Sequence, residues 1–381
     1  MRSDASFCPA PRGRFIACSD MGGSFHLKDV KKMLALQKQD AAAGVALVDV
    51  AEPPAPGQGE VLIEVVAAGI CGSDLHIDDW AQGYEFLTPF LPVTLGHEFS
   101  GRVVAAGPGV HESAVGKRVV VRPSISCGVC IDCREGDPDE CLHRRALGLH
   151  RPGAFAPRLL APWNYCLPLP DSLDLELAAL VEPLTISQHA VEDGEVKTGD
   201  RVLVFGPGTI GQGAAALARL AGAAEIVVVG YGDKERFEVL GRMGFSRLID
   251  LADPGAAQQL EELAGDGFDV VIEAAGANSA LASALRLTRV RGKIVAVGIH
   301  SRNIDVDVNL LVRKRLQLRG SYRASQAIWE KCIRILAQSP NEFAPMITHR
   351  LPLNEAPEGF RLGKQKTASK VILLPGLGAQ S

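Results

Sequence analysis

The chain has 381 residues, of which 47% are apolar and 22% charged, with a formal net charge of -4. That is enough chain for two domains with separate cores, and the composition is that of a globular protein rather than a disordered one. A pI near 6.2 gives no overall basic field for nucleic acid or an anionic membrane, and the longest apolar runs fall far short of the roughly 18 residues of a membrane span.

The first 32 residues have arginines but no sustained apolar core, which argues against a secretory signal. They are expected to form a disordered extension, with the folded part starting at Met33. Without a signal, the cysteines are expected in a reducing cytoplasm, where dense CxxC spacing points to metal rather than disulfides.

From Leu34 to Pro123, short β-branched runs bounded by glycine, such as GEVLIEVVAAGI and GKRVVVRP, predict a β-rich region. One scattered set lies in this region and beyond it: Cys71 in GICGSDLH, His97 and Glu98 in LGHEFSG, and later Glu182 in LVEPLTISQHA. A thiolate, an imidazole and carboxylates make a mixed metal site with room for water or substrate. Singly, each residue has an ordinary reading as a core thiol, a turn histidine or a helix-terminal charge.

Next comes SCGVCIDC. Cys127, Cys130, Cys133 and Cys141 have the spacing C-x2-C-x2-C-x7-C. Four thiolates can close a tetrahedral zinc site that staples a loop but leaves no position for substrate. A [4Fe–4S] cluster is the chemical rival, although the last spacing differs from that of bacterial ferredoxins.

After Asp171 the pattern turns helical, and residues 199–230 read as strand, glycine-rich turn, alanine-rich helix, strand. Gly206-Pro207-Gly208-Thr209-Ile210-Gly211 is a GxGxxG that follows RVLVF and opens a helix, the setting a dinucleotide site requires. The glycines allow the tight turn, the approach of a pyrophosphate and helix–sheet packing. The second strand ends at Gly230, where an acid would bind the ribose of NAD. Asp233 follows, with Lys234 and Arg236 beside it. A small residue followed by cations suits a 2′-phosphate, so both NAD and NADP remain open. FDVVIEAAGA and RGKIVAVGIH predict further buried parallel strands. AIWEKCIRILAQ and SKVILLP predict a last helix and strand.

CGSDLH, GHEFSG, the four-cysteine loop, VEPL, GPGTIG and ITHRLPL occur here in one order. In that order the chain resembles the zinc-dependent medium-chain dehydrogenases, in particular their polyol and threonine dehydrogenase branch. The resemblance covers Met33 to Pro375. It implies an α/β protein: a GroES-like β-rich catalytic domain (33–185 and 325–381) and an inserted Rossmann domain with a doubly wound parallel sheet (186–324). It implies two zinc ions per chain. Cys71, His97, Glu98 and Glu182 would serve the catalytic ion, and Cys127, Cys130, Cys133 and Cys141 the structural one. Ser73 and His76 would relay the substrate proton, and Val297, Gly298 and Ile299 would join the cofactor site. A homodimer or homotetramer is implied, with GKIVAVGIH as a strand that pairs across a dimer.

On substrate, two resemblances pull apart. HIDDWAQ and APMITHRLPL resemble threonine dehydrogenases, but Ser124 stands where those enzymes tend to have a histidine. VEPLTISQHA and Arg323 in GSYRAS are similar to polyol dehydrogenases. The expectation is oxidation of a secondary alcohol, a sugar alcohol or cyclitol, with threonine as the alternative. A protein that binds zinc and NAD(P)H without turnover is a reading of another class, which the complete ligand sets and the Ser73–His76 pair argue against. A zinc-ribbon nucleic-acid module would need interleaved aromatics and basic charge that the loop lacks.

Overall fold

The computed structural model describes residues 31–300 and 303–377. The expected extension therefore lies, but for its last two residues, outside the described residues.

Two sheets organise the chain. The first is antiparallel but for its last pair, which is parallel, in the order 166–168, 118–121, 98–106, 60–69, 370–374, 347–352, with 158–162 also pairing on 60–69. Strand Glu60–Gly69 runs through its middle, and Val61, Ile63, Val65, Ala67 and Ala68 are buried. The closing strand Lys370–Leu374 comes from the far end of the sequence, with Ile372 opposite Gly69. That register is what brings the C-terminal segment beside the metal-ligand candidates.

The second sheet is parallel, in the order 248–250, 225–230, 201–205, 268–273, 288–296, 317–320. It is a doubly wound sheet whose order reverses beside 201–205, where ligands bind at the strands' C-terminal ends. Val202, Leu203 and Val204 are fully buried, as expected of a strand covered on both faces. The helix Val181–Asp193 runs across the 185/186 division and packs on the helices Thr209–Leu220 and Gln326–Gln338.

One expectation needs correction. Strand Thr288–Ala296, which holds GKIVAV, is internal, with 268–273 on one side and 317–320 on the other. The edge is Gln317–Gly320, all four residues of which are exposed, because one more strand follows in the sheet than the apolar run suggested.

The helix Gly72–Asp78 is short, yet held at both ends. At its start, the Cys71 amide donates to Asp74 Oδ2 at 3.0 Å. At its end, the fully buried Lys38 donates to the carbonyls of Gly44 at 2.9 Å and Asp78 at 3.5 Å, and lies 5.3 Å from the Trp80 ring centre. A buried ammonium is tolerated only when its donors are satisfied in this way. No helix among the described residues is long and apolar enough to cross a membrane.

Candidate functional site

Cys71 caps the Gly72–Asp78 helix, while His97 and Glu98 sit where the chain enters strand Glu98–Ala106. The pairing of that strand with Glu60–Gly69 sets Glu98 opposite Gly69, two residues before Cys71. The ligand atoms of Cys71, His97 and Glu98 all lie within 4.8 Å of one another. A soft thiol, an imidazole and a carboxylate at that separation suit zinc with an open position.

The surroundings fit an ion as well. His97 Nδ1 lies 3.7 Å from Asp74 Oδ1, and both atoms are buried without a closer partner. Asp74 is fully buried, and its carboxyl is held above the usual range by desolvation, with His97 opposing. A carboxylate behind a ligating imidazole fixes the ring's tautomer and orientation, which is the usual second layer of a metal site. Ser73 Oγ lies 3.4 Å from His97 Nε2, on the ring edge away from Asp74. The Glu98 carboxylate is paired with Lys370 Nζ at 2.6 Å. Asp74 and Lys370 had no part in the expectation. Asp74 was legible inside CGSDLH as a helix-start carboxylate, but nothing in SKVILLP marks Lys370.

Glu182 stands outside the three-residue set. It is near enough for its charge to act on His97. Burial pushes its carboxyl up to about 7 against the pull of His97, with Glu98 adding to the rise. His76 is exposed on the same helix as Ser73, with its ring 6.1 Å from that of Tyr84.

The four-cysteine loop also comes together, with all four sulfurs within 4.8 Å of one another. The Cys130 and Cys133 sulfurs are 3.4 Å apart and those of Cys127 and Cys133 4.0 Å, with no disulfide. A tetrahedron with Zn–S of about 2.3 Å has sulfur edges of about 3.8 Å, whereas the iron corners of a cubane would spread the sulfurs further. Backbone amides of Val129 and Cys130 point at Cys127 Sγ at 3.5 and 3.3 Å and lower its thiol to about 6. The amides favour thiolate at Cys127, while at Cys130 the Cys133 amide is outweighed by burial and the neighbouring sulfurs, which push that thiol up; four sulfurs this close fit zinc.

The dinucleotide turn forms as expected. Gly206 has φ 98°, and a Cβ there would meet the Ala274 backbone at 2.8 Å. A Cβ on Gly211 would lie 1.8 Å from the Gly206 carbonyl oxygen, so the helix closes on the turn only with glycine. Around Gly208 nothing comes closer than Arg236 Nη1 at 4.0 Å, which leaves the approach open for a phosphate. Thr209 Oγ1 donates to the Ser369 carbonyl at 3.3 Å, and the Ile210 carbonyl accepts from Ser187 Oγ at 2.9 Å.

Gly230 is dictated by packing, since a Cβ would meet Pro207 and Phe237 at 2.8 and 2.9 Å. Asp233 is buried and turned inward: it accepts from the Tyr231 amide at 3.0 Å and pairs with Arg236 at 3.1 Å. Lys366 lies 3.5 Å away, and Lys234 is exposed. Val297 and Gly298 both donate to the Glu273 carbonyl, at 2.8 and 3.0 Å, and Ile299 is largely exposed.

Of the substrate candidates, Ser124 pairs with Ala146 in a two-stranded antiparallel sheet at the base of the cysteine loop. Arg323 has φ 68° and stacks over the ring of the exposed Tyr322 at 4.4 Å, while its carbonyl meets His189 Nδ1 at 2.5 Å.

A chain of rings that sequence reasoning did not identify runs from the metal cluster outward. Tyr84 lies 6.1 Å from both His76 and Phe86. His150 lies 5.6 Å from Phe86 and 4.8 Å from Phe90. The Tyr84 phenol is raised by burial first, then by Cys71, Asp74 and Tyr322, which places it between the metal cluster and the Tyr322 loop.

Two family models match the chain: the alcohol dehydrogenase GroES-like domain over residues 57–171 and the zinc-binding dehydrogenase domain over residues 209–338. The chain is 35% identical to an L-threonine 3-dehydrogenase of Idiomarina loihiensis, over 90% of this chain and 99% of that one. Among solved structures it is similar to a zinc-binding dehydrogenase from Sinorhizobium meliloti bound to NADP, with TM-score 0.81 and 31% identity over 91% of this chain and 100% of that one. It is equally similar in fold to an alcohol dehydrogenase from E. coli complexed with NADH, with TM-score 0.81 and 28% identity over 90% and 99%.

Proposed function

We propose, from the premise that this chain belongs to the zinc-dependent medium-chain dehydrogenases, that it oxidises a secondary hydroxyl of a polyhydroxylated substrate. As a member of that family it is a zinc-dependent alcohol dehydrogenase that uses NAD(P). When bound, zinc supplies Lewis-acid activation of the hydroxyl, and the nicotinamide accepts the hydride.

In this reading the chain's own residues do the following. Cys71, His97 and Glu98 hold the catalytic ion. Asp74 steadies the His97 ring, and Lys370 holds the Glu98 carboxylate. Glu182 contributes charge from just outside the ligand set. Ser73 takes the substrate proton beside His97, and the exposed His76 releases it to solvent. Cys127, Cys130, Cys133 and Cys141 hold a second ion that shapes the loop. The inward-turned Asp233, with Arg236, Lys366 and Lys234 around it, favours the 2′-phosphate of NADP over a bare ribose.

The observation that carries the substrate reading is the ring series from His76 to His150. The Ala146 amide donates to His150 Nδ1 at 3.1 Å, so Nε2 bears the proton and can donate. Burial, with Arg145 adding, holds His150 below its usual pKa, so it is neutral near pH 7. Ring faces that carry a phenol and the neutral His150 imidazole suit a carbon skeleton with several hydroxyls. The zwitterion of threonine would call for paired opposite charges instead. The threonine dehydrogenase relatives support the alternative reading.

Absorbance of reduced nicotinamide, followed with a panel of polyols, cyclitols and threonine against both cofactors, tests the choice. Turnover of a polyol well above threonine is expected. Turnover of threonine alone would replace this reading with the alternative.

The edge strand Gln317–Gly320, with Leu318 half exposed and Val290, Val308 and Val312 exposed, suits pairing with a second copy of the chain. Seven unbridged cysteines among the described residues suit a reducing, cytoplasmic setting.

A further inference from the structure

Lys38 ends strand Lys32–Lys38 with a fully buried side chain. Its ammonium donates to the carbonyls of Ala42, Gly44 and Asp78 and stands over the Trp80 ring. Three carbonyls match its three N–H donors. It meets no carboxylate, because those of Asp78 and Asp79 pair instead with Lys364, both at 2.5 Å. Desolvation lowers the Lys38 pKa, with Asp78 and Asp40 opposing. A lowered lysine pKa means that the charge costs the folded state energy at all pH values below the folded pKa, a cost that vanishes above 10.5. Apolar replacement of a buried charge is often neutral or stabilising. Stability alone therefore gives no reason for a lysine at this position.

What the lysine joins supplies one. Asp78 closes the helix Gly72–Asp78, which Cys71 caps. The Asp78 carbonyl is among the acceptors a helix end leaves unmatched, and it takes both the Gly44 amide, at 2.7 Å, and Lys38. In the other direction, the Lys38 backbone pairs with Val93 and Gln37 pairs with Thr94. The Leu95 amide then donates to the Leu36 carbonyl at 3.1 Å, two residues before His97. One residue thus spans from the segment that delivers His97 and Glu98 to the far end of the helix that starts at Cys71. The near end is held by Asp74, through the Cys71 amide and His97. With both ends held, the helix cannot pivot about Asp74, a motion that would change the separation of Cys71 from His97 and Glu98. Sites of this kind work only when their supports hold them to about 0.5 Å.

We propose that Lys38 is a positioning residue for the catalytic metal: its ammonium locks the helix that carries Cys71 against the strand that delivers His97 and Glu98. This rests on the reading that those three residues hold the catalytic ion. Lys38 acts from behind the ligands and touches neither the ion nor the substrate. The loop between Lys38 and Gly44 is exposed along its length, so the lysine is what fixes it to the helix end.

The test is zinc transfer from the full-length, zinc-loaded protein to a chromogenic chelator, in which the two ions leave as separate phases. Cys71→Ser identifies the phase of the catalytic ion by removing it. Lys38→Met is expected to release that ion about tenfold faster, the lower end of what partners behind metal ligands are worth. The cysteine-loop phase and the melting temperature of the zinc-free protein should stay as in wild type. Lys38→Arg, whose guanidinium can donate to the same carbonyls, should recover most of the loss. Lys364→Met, which removes the charge beside Asp78 and Asp79 but no bond to the Asp78 carbonyl, should leave both phases unchanged. Wild-type release from Lys38→Met would overturn the proposal, as would acceleration by Lys38→Arg as large as by Lys38→Met. Equal acceleration of both phases, or failure of Lys38→Met to fold, would make Lys38 a general stabilising residue and overturn it too. Wild-type protein that holds only the cysteine-loop ion would instead overturn the metal-site reading, and this proposal with it.

Discussion

Lys370 Nζ lies 2.6 Å from Glu98 Oε2, with the two side chains 2% and 1% exposed. The same ammonium donates to the Ile70 carbonyl at 2.8 Å, one residue before Cys71. One side chain thus braces two of the three candidate ligand positions. Burial alone would lower the Lys370 pKa, but Glu98 and then Cys71 raise it above 10.5. A raised lysine pKa gives stability that is fully present below the unfolded value of 10.5 and is lost as pH rises through the folded value. Lys370→Met should therefore destabilise the protein by about 3–5 kcal/mol near neutral pH, because it leaves a buried carboxylate unpaired. Adding Glu98→Gln should recover part of that loss. Urea unfolding of the zinc-free variants, in which no ion offsets the Glu98 charge, measures both, and a Lys370→Met midpoint equal to wild type would show that the pair does not brace the fold.

The turn glycines should separate folding from binding. Gly211→Ala sets a Cβ 1.8 Å from the Gly206 carbonyl oxygen and should lower the melting temperature sharply. Gly208→Ala meets nothing within 3.4 Å, so the protein should melt normally while cofactor affinity drops through the lost approach to the pyrophosphate. Scanning calorimetry together with NAD(P)H titration distinguishes the two. Normal melting of the Gly211 variant would contradict the turn geometry.

Cofactor choice should depend on Arg236. It holds Asp233 at 3.1 Å and lies 4.0 Å from the Gly208 Cβ position. Arg236→Ala should reduce kcat/KM with NADP by about tenfold or more, the scale of one charge-assisted hydrogen bond, and leave NAD within a few-fold. A greater loss with NAD than with NADP would reverse the assignment.

In the cysteine loop, Cys130→Ser should remove one zinc per chain and lower the melting temperature without a specific chemical defect in the folded fraction. Metal analysis that still found two zinc ions in a variant with wild-type melting would refute the closed four-thiolate site.

The candidate metal-ligand clusters and the glycine-rich turn were legible because the chemistry proposed for them needs fixed residue types at short, ordered spacings. Cys71 with CGSDLH, His97-Glu98 and the GxGxxG could each be named from sequence. Lys370 could not, because it reaches Glu98 only through the pairing of Ile372 with Gly69 across the whole chain. Tyr84, Phe86, Phe90 and His150 were not legible as a set, since a 3-10 helix at 85–90 and a turn after strand 145–146, far apart in sequence, bring them together. Gly230 looked like a missing acid, but the contacts with Pro207 and Phe237 show that its size is set by packing. The strand expected at a dimer edge was misplaced because exposed strand 317–320, QLRG, carries no apolar run to announce it.

The central claim is that Cys71, His97 and Glu98 hold the reactive metal, while the conspicuous cysteine loop does not. It is tested most directly by Cys71→Ser, with turnover, zinc content and NAD(P)H affinity measured on the same preparation. Losing several kcal/mol of Lewis-acid stabilisation should cut kcat by about three orders of magnitude. Zinc should fall by one ion per chain, with cofactor affinity unchanged. Wild-type turnover by that variant would contradict the account.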